Sequence, residues 1–334
     1  MASKLLDDFQ PDAIVIAQGH GTVAATYRYA AVLRGIRVIA VENSLNKARL
    51  VWDDIAGIAV NKLPMRNYYW RWVDLVDRDD ATAHVRGYLA SINEVKSADH
   101  SAPTSVEWSP PPGVGPVVLY LANVLTDSSV LFNSRVGPQV DAMKATARWA
   151  LEHGCTFVLK VHPRERPGSP TLRRAYPPAE FSYEGLTLRA LQSDTAFWDL
   201  VSRSDRCVID GDNRFNTYDL IRKSHVCVTV CSQAGLEALL LQKEVVLLGD
   251  AYYGGLGFTH DVQDLGQLGP AILGALSPSG RRADPDRLSP FFYIFDRLYC
   301  IEKTAEGLAS LMLRSLGRRR LASLTDLGHR EALA

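Results

Sequence analysis

Short runs of apolar, mostly β-branched residues alternate along the chain with longer segments in which apolar positions recur at helical spacing. In the clearest example, an apolar strand from Val226 to Val230 is followed by a small-residue turn, a helix and a second apolar strand that ends before Gly249. Runs that are apolar on both faces are typical of buried parallel strands. The pattern therefore predicts a strand–helix–strand unit, and its repetition predicts an α/β fold.

Further strands are predicted on both sides of a proline-rich segment, over residues 12–18, 36–41, 116–122, 156–161 and 206–210. Between residues 97 and 115 the periodicity is lost and proline becomes frequent, which is typical of a linker. We therefore predict two Rossmann-like domains that face each other across a cleft. Their predicted limits are residues 1–105 for the N-terminal domain, 106–115 for the linker, 116–310 for the C-terminal domain and 311–334 for a terminal helix or tail.

Composition narrows the classes of function. The 334 residues are 47% hydrophobic, and 37 Lys and Arg balance 37 Asp and Glu. A chain without net charge lacks the cationic excess of many nucleic-acid-binding proteins, so a small-molecule partner is expected. The N-terminus and the apolar runs predict neither a signal peptide nor a membrane span, which favours a cytoplasmic protein. The basic stretch Arg314–Leu321 is interpreted as a solvated helix end or as a peripheral contact with the inner membrane.

Several candidate functional residues follow the predicted strands of the second half. Ser232 and Gly235 begin a helix, where a hydroxyl and a glycine either bind phosphate or serve for capping alone. Pro163 ends a strand and holds His162 at its carboxyl edge, so the imidazole is expected to project into the crevice. The glycine- and tyrosine-rich segment 250–261 is interpreted as a loop that holds a sugar or as an ordinary long connection.

The first half offers acidic candidates at strand ends. His20 follows the first strand and is interpreted as a functional group or as a turn histidine bonded to backbone. Glu42 follows the second strand, where an acid rarely serves the core. Asp53 and Asp54 are adjacent, and neighbours on an extended chain point in opposite directions, so only one of them can share a site with Glu42. We find no clustered ligand set that predicts a metal, and the five cysteines lack CxxC spacing.

Five ordered motifs resemble those of the capsule polysaccharide biosynthesis family. Lys160-Val-His-Pro163 is similar to the family's Lys-x-His-Pro, and Ser232-Gln-Ala-Gly-Leu-Glu-Ala-Leu-Leu240 to its Ser-x-x-Gly-x-Glu-Ala-Leu-Leu. The other resembling segments are Glu42-Asn-Ser44 with Asp54-Ile-Ala-Gly-Ile58, Asn123-Val-Leu-Thr-Asp-Ser-Ser129, and Gly249-Asp-Ala-Tyr-Tyr-Gly-Gly-Leu-Gly-Phe-Thr259. The chain differs from the family at Asn43-Ser44, where the family has Asp-Gly, and at Leu256, where it often has Trp.

The resemblance implies a GT-B glycosyltransferase similar to the bacterial β-Kdo transferases. It implies a CMP-activated acidic sugar such as Kdo as donor, a glycan or glycolipid as acceptor, and no cofactor. Glu42 or Asp54 would be the catalytic carboxylate, with His20 next in line. The implied nucleotide-binding residues are Asp127, Ser128, Lys160, His162, Pro163, Ser232, Gly235 and Glu237, and those of the donor-sugar loop are Tyr253, Gly255 and Thr259.

Three other functions remain open at this stage. A GT-B transferase for UDP- or GDP-sugars would have the same architecture but would need donors for two phosphates. A sugar-nucleotide epimerase would release free sugar without an acceptor. A catalytically silent binding or export module would follow if Asn43 and Ser44 had removed the chemistry.

Overall fold

A computed structural model of the chain describes residues 1–18, 21–54, 57–97, 106–110, 113, 115–169, 172–175 and 178–315. They form two compact units. The first consists of Met1–Val76 and the described residues from Phe291 onward, and the second of Asp77–Pro290. This division differs from the predicted limits at both ends of the second domain. Loss of periodicity marks where a chain is irregular, but it does not show on which core the neighbouring helices pack.

The first unit is built on a mixed sheet. Its elements are α1 (Ala2–Phe9), β1 (Ala13–Ala17), α2 (Thr22–Val32), β2 (Arg37–Asn43), β3 (Arg49–Asp53), α3 (Leu63–Trp72), a 3₁₀-helix (Val73–Leu75), a π-helix (Ile294–Tyr299), the short strand Ile301–Glu302 and a helix over residues 305–315. β1 and β2 are parallel, as predicted. β3 runs antiparallel to β2 and pairs on its other side with Ile301–Glu302. These two antiparallel strands were not predicted from the sequence.

Apolar residues pack on both faces of this sheet. Val38 and Ile39 are neighbours on β2, so their side chains point to opposite faces. Val38 belongs to a buried cluster with Leu6 of α1 and Ala31 of α2. Ile39 belongs to another cluster with Leu311 of the helix over residues 305–315. The C-terminal segment therefore covers one face of the N-terminal sheet.

The second unit is larger and contains a parallel sheet. Its elements are α4 (Arg78–Ser97), β4 (Val117–Leu121), α5 (Ser128–Asn133), α6 (Gln139–Glu152), β5 (Thr156–Lys160), a 3₁₀-helix (Pro163–Glu165), β6 (Leu172–Ala175), β7 (Pro178–Phe181), α7 (Leu186–Gln192), α8 (Thr195–Ser202), β8 (Cys207–Asp210), α9 (Thr217–Lys223), β9 (Val226–Thr229), α10 (Gln233–Leu240), β10 (Glu244–Leu247), β11 (His260–Asp261), 3₁₀-helices (Leu265–Gln267 and Pro278–Gly280), α11 (Leu268–Leu276) and α12 (Pro285–Tyr293). The division between the units falls inside α12. In chain order, the short strand Ile301–Glu302 of the first unit is numbered β12.

The strand order in the second unit is β11-β10-β9-β4-β5-β8, with every neighbouring pair parallel. Helices cover both faces of such sheets, and this explains why the strands are mostly apolar. Every residue of β4, β5, β9 and β10 is buried. One buried cluster includes Tyr120, Phe157 and Val228 from three adjacent strands. The strands that the sequence predicted in this half are present.

Candidate functional site

The order of the strands locates a crevice in the second unit. From β4 the chain adds β5 and β8 on one side, then returns and adds β9, β10 and β11 on the other. This is the order of dinucleotide-binding sheets, which hold ligands beyond the carboxyl ends of the strands where the order reverses. That point lies between β4 and β9, and Thr229 Oγ1 of β9 donates to Leu121 O of β4 at 2.8 Å there. The turns after β4 and β9 therefore flank the candidate site.

The turn after β4 is held by two polar side chains. Asp127 caps α5, and its Oδ1 accepts from the amide of Ser129 at 2.9 Å. Gln139 Oε1 accepts from the amide of Asn123 at 2.8 Å, and its Nε2 donates to Asn123 O at 3.0 Å. Ser128, predicted to bind nucleotide, begins α5 and is half-buried. Gln139 was missed in the sequence because a glutamine at a helix start carries no motif signal.

The turn after β5 presents His162 in a defined orientation. Its Nδ1 accepts from the Arg164 amide at 3.1 Å, so the neutral ring carries its proton on Nε2. Pro163 is the first residue of the following 3₁₀-helix, which places the ring at the strand end as predicted. Glu165 is buried, and its carboxylate accepts from the Thr187 amide at 2.6 Å. Burial raises the pKa of Glu165, and its hydrogen bonds partly offset this. Glu165, which the sequence analysis missed, therefore anchors this turn.

Lys160 has the contacts of a structural residue. Its Nζ donates to Asp210 Oδ2 at 2.6 Å and to Phe215 O at 2.6 Å. Asp210 also accepts from the amides of Arg214 and Phe215. Burial lowers the pKa of Lys160, and the carboxylate of Asp210 acts in the opposite direction. The buried pair joins β5 to the turn after β8, while the predicted contact between Lys160 and a nucleotide stays a prediction.

The turn after β9 begins α10 as predicted, but its glycine has a different neighbour. Ser232 is the N-cap, and its Oγ accepts from the Ala234 amide at 3.3 Å. A Cβ at Gly235 would lie 2.2 Å from Tyr253 Oη and 3.0 Å from Thr229 Cγ2. This packing gives a structural reason for the glycine, because the space beside it is filled by the phenol of Tyr253, and the predicted contact between Gly235 and a nucleotide stays a prediction.

Glu237 lies inside the second unit, one turn further along α10. Its Oε1 accepts from the hydroxyls of Tyr218 at 2.9 Å and Tyr88 at 3.3 Å. Burial, followed by the negative charge of Glu237, raises the pKa of both phenols, so both hydroxyls remain donors. This network fixes the carboxylate, and the predicted contact between Glu237 and a ribose stays a prediction.

The glycine- and tyrosine-rich loop is a packed structure. Tyr253 and Thr259 are fully buried, and Tyr253 Oη donates to Ser232 O at 2.5 Å. The carboxylate of Asp261 accepts from Thr259 Oγ1 at 3.2 Å and from the Gly255 amide at 3.3 Å. We expected an open backbone that could hold a sugar. The side chains of Tyr253 and Thr259 support the loop and the start of α10, whereas Gly255 is exposed with φ +70°. The predicted contact of these three residues with a donor sugar stays a prediction.

In the first unit, two carboxylates bracket one glycine turn. Glu42 Oε1 accepts from the Ala59 amide at 3.2 Å, and Asp53 Oδ2 accepts from the Gly57 amide at 3.1 Å. A Cβ at Gly57 would lie 2.4 Å from Glu42 Oε1, and φ there is +89°. The positive φ favours glycine at this position, and a side chain there would also displace the Glu42 carboxylate. Lys62 is buried beside the turn, and its Nζ donates to Ala59 O at 2.7 Å.

The structure brings Asp53, and not Asp54, to the turn that Glu42 contacts. Asp53 is buried, whereas Asp54 is exposed and pairs with Arg37 at 2.9 Å. The argument that only one of the two adjacent acids can join Glu42 agrees with this geometry. The choice of Asp54 as a catalytic residue stays a prediction, and His20 lies outside the described residues.

The sequence between α8 and the segment after β11 matches a known family. Residues 202–266 match the family described as capsule polysaccharide biosynthesis protein. The predicted resemblance to this family is confirmed. The matched segment contains the Ser232 turn and the glycine- and tyrosine-rich loop, while Lys160-Val-His-Pro163 lies before it. No curated protein matches the chain.

Two solved structures from Thermosulfurimonas dismutans are similar to the chain. KpsC, beta Kdo 2,7 transferase, is 15% identical with a TM-score of 0.55, and the match covers 90% of this chain and 81% of that chain. KpsC, beta Kdo 2,4 transferase, is 18% identical with a TM-score of 0.56, and the match covers 87% and 81%. At this identity the likeness concerns the fold. The predicted GT-B-like α/β class is confirmed, while the predicted cleft stays a prediction.

Two kinds of feature are absent from the described residues. Within the described ranges, no group of three or more His, Cys, Asp and Glu side chains is arranged to hold a metal ion. Among the helices of the same ranges, none combines the length and the apolar character needed to cross a bilayer.

Proposed function

We propose that the chain is a glycosyltransferase that moves an acidic sugar, Kdo or a related sugar, from a CMP-sugar to a glycan or glycolipid of a bacterial surface polysaccharide. The observation that carries the proposal is the position of the His162 and Ser232 turns at the carboxyl edge of one parallel sheet, beside the point where its strand order reverses. The family match and the fold shared with two structures named as Kdo transferases support the same function. No cofactor is needed for this reaction.

The proposed nucleotide site suits the single phosphate of CMP. His162 Nε2–H is a donor because Nδ1 accepts a backbone amide. The N-terminus of α10, capped by Ser232, contributes backbone donors and a positive dipole end. As the bond between the anomeric carbon and the phosphate oxygen breaks, its electron pair leaves with CMP. Hydrogen-bond donors placed at that oxygen stabilise the charge that develops in the transition state more than they stabilise the bound CMP-sugar. This difference accelerates the transfer.

The proposed acceptor chemistry lies in the first unit. Glu42 is held by the Ala59 amide at the turn of Gly57, with Asp53 on the other side of that turn. A carboxylate there takes the proton of the acceptor hydroxyl while the oxygen forms its bond to the anomeric carbon. Such an enzyme would work in the cytoplasm, with a peripheral contact at the inner membrane where its acceptor is a glycolipid.

Thermal unfolding with CMP, CDP, UDP and GDP tests the nucleotide assignment. We expect CMP to raise the unfolding temperature most, because a ligand that binds the native state stabilises it by mass action. A larger shift with UDP or GDP and none with CMP would support a different sugar nucleotide. Binding of CMP without transfer of sugar to any glycan or glycolipid acceptor would support a silent binding module.

His162→Asn is the sharpest variant for the site. Asparagine is a good N-cap, so its side chain can replace Nδ1 as the acceptor for Arg164 while it removes the Nε2 donor. We expect the parental unfolding temperature and a transfer rate lower by about 10²–10³-fold. His162→Ala, which removes both functions, is the comparison. Parental transfer by His162→Asn would show that the ring is structural. Glu42→Gln in the same assays should abolish transfer and retain CMP binding.

A further inference from the structure

A cavity of about 600 Å³ lies in the first unit. It is lined by residues of α3, β3, the π-helix and the segment from Cys300 to Arg314. Its volume is within the range of small-molecule sites. Among the described residues, its lining includes neither Glu42 nor Asp53, so it is separate from the glycine turn.

One wall of the cavity is a rigid aromatic surface. The rings of Trp52 and Tyr299 are stacked with centroids 5.8 Å apart, and Trp52 Nε1 donates to Tyr299 O at 2.9 Å. Tyr68 meets Tyr299 edge to face at 5.5 Å. Burial raises the pKa of Tyr299, so its hydroxyl is neutral at physiological pH. Aromatic surfaces of this kind have an apolar body with polar tips, a combination that suits the faces and hydroxyls of sugar rings.

The backbone that presents this wall is unusual. Ile294–Tyr299 forms a π-helix, a rare conformation that occurs often at functional sites. It is fixed to β3 by Arg49, which donates to Asp296 O at 2.8 Å and lies 3.8 Å from the Asp296 carboxylate. The π-helix places Arg297 and Tyr299 at the same cavity.

Four exposed charged side chains complete the lining: Arg297, Glu302, Glu306 and Arg314. In the part of the chain that the structure describes, none of the four makes an ion pair. Arg314 Nε donates only weakly, to Ser310 O at 3.3 Å. Guanidinium groups recognise carboxylates and phosphates in a bidentate manner, and carboxylates accept from hydroxyls. The lining therefore offers partners for both kinds of group on one ligand.

We propose that this cavity binds a saccharide that carries carboxylate or phosphate groups. The aromatic wall packs against a sugar face, Glu302 and Glu306 accept from its hydroxyls, and Arg297 and Arg314 bind its anionic substituent. A purely apolar ligand would leave these charges unsatisfied. Assignment of the cavity as the acceptor site rests on the proposed glycosyltransferase function, whereas saccharide binding itself does not.

Calorimetric titration of the full chain tests the proposal with three probes: a sialic acid disaccharide, glucose phosphate and neutral maltotriose. We expect saturable binding of at least one anionic probe, and the two anionic probes separate the carboxylate from the phosphate source. Arg297→Gln with Arg314→Gln should weaken that binding by about tenfold or more. Glu302→Gln with Glu306→Gln should weaken it to a smaller extent. Arg203→Gln, an exposed arginine of the second unit, is the matched control and should bind as the parent does.

Three results would overturn the proposal: no saturable binding of either anionic probe, equal or tighter binding of maltotriose, or anionic binding that the double arginine variant retains. CMP binding measured on the same samples separates the two proposals. If CMP binds and the anionic saccharides do not, the cavity proposal fails and the nucleotide assignment stands. If the saccharides bind and CMP does not, the nucleotide assignment fails and the cavity proposal stands.

Discussion

Replacement of Gly235 by alanine tests why α10 has a glycine in its first turn. The added Cβ would lie 2.2 Å from Tyr253 Oη and 3.0 Å from Thr229 Cγ2, distances at which the neighbours must move. Both neighbours are fully buried. Tyr253 also donates to Ser232 O at 2.5 Å, so a shift of its ring breaks a partly buried hydrogen bond.

The expected loss of stability is the sum of two destabilising contributions and one that offsets them. Overpacking of a buried site costs about 1–3 kcal/mol. Loss of the hydrogen bond between Tyr253 and Ser232 costs about 1 kcal/mol more. The better helix propensity of alanine offsets about 1 kcal/mol of this. We therefore expect Gly235→Ala to lower the free energy of unfolding by about 1–3 kcal/mol.

Urea denaturation of four variants measures this effect and its cause. Tyr253→Phe removes the oxygen, after which the nearest atoms are Thr229 Cγ2 at 3.0 Å and Tyr253 Cζ at 3.1 Å. In that background the cost of Gly235→Ala should fall by about 1 kcal/mol or more, which is the coupling of a contacting pair. Gly274→Ala in α11 is the control, because its Cβ would have no neighbour nearer than 3.7 Å. Unchanged stability together with weaker CMP binding would show that Gly235 serves a ligand and that the packing argument is wrong.

Two further predictions concern buried charges. Lys160→Met should destabilise the protein by about 3–5 kcal/mol in urea denaturation, because Asp210 stays buried without its partner, and adding Asp210→Asn should recover part of the loss. A stable Lys160→Met variant with weak CMP binding would instead favour a nucleotide contact. Burial raises the pKa of Glu244, but hydrogen bonds from His260 and two backbone amides outweigh this and hold it below the ordinary value. Because the folded state has the lower pKa, the stability that Glu244 contributes is present above the unfolded pKa and is lost as pH falls through the folded one. The stability difference between the parent and Glu244→Gln, measured in urea from neutral pH to about pH 3, should therefore shrink on acidification, and a constant difference would contradict this.

The strands of the second unit were predictable from the sequence because of their burial. A strand covered by helices on both faces is mostly apolar, so β4, β5, β9 and β10 stand out as apolar runs, with polar residues only at strand ends such as Lys160 and Glu244. The Ser232 cap and the strand end before His162 were predictable for a similar reason. Caps and prolines act on residues two or three positions away, and that range is visible in a sequence.

Contacts between distant segments were decided only in the tertiary structure. β12 has two residues, and its pairing with β3 joins positions some 250 residues apart, so no local pattern could indicate it. Whether Asp53 or Asp54 joins Glu42 depends on how β3 pairs and on the turn at Gly57. Gly235 resembles a ligand-binding glycine in sequence, but a phenol from beyond β10 occupies its open side. The sequence shows only that position 235 is a glycine. The tertiary structure shows that Tyr253 is the neighbour that leaves no room for a side chain there.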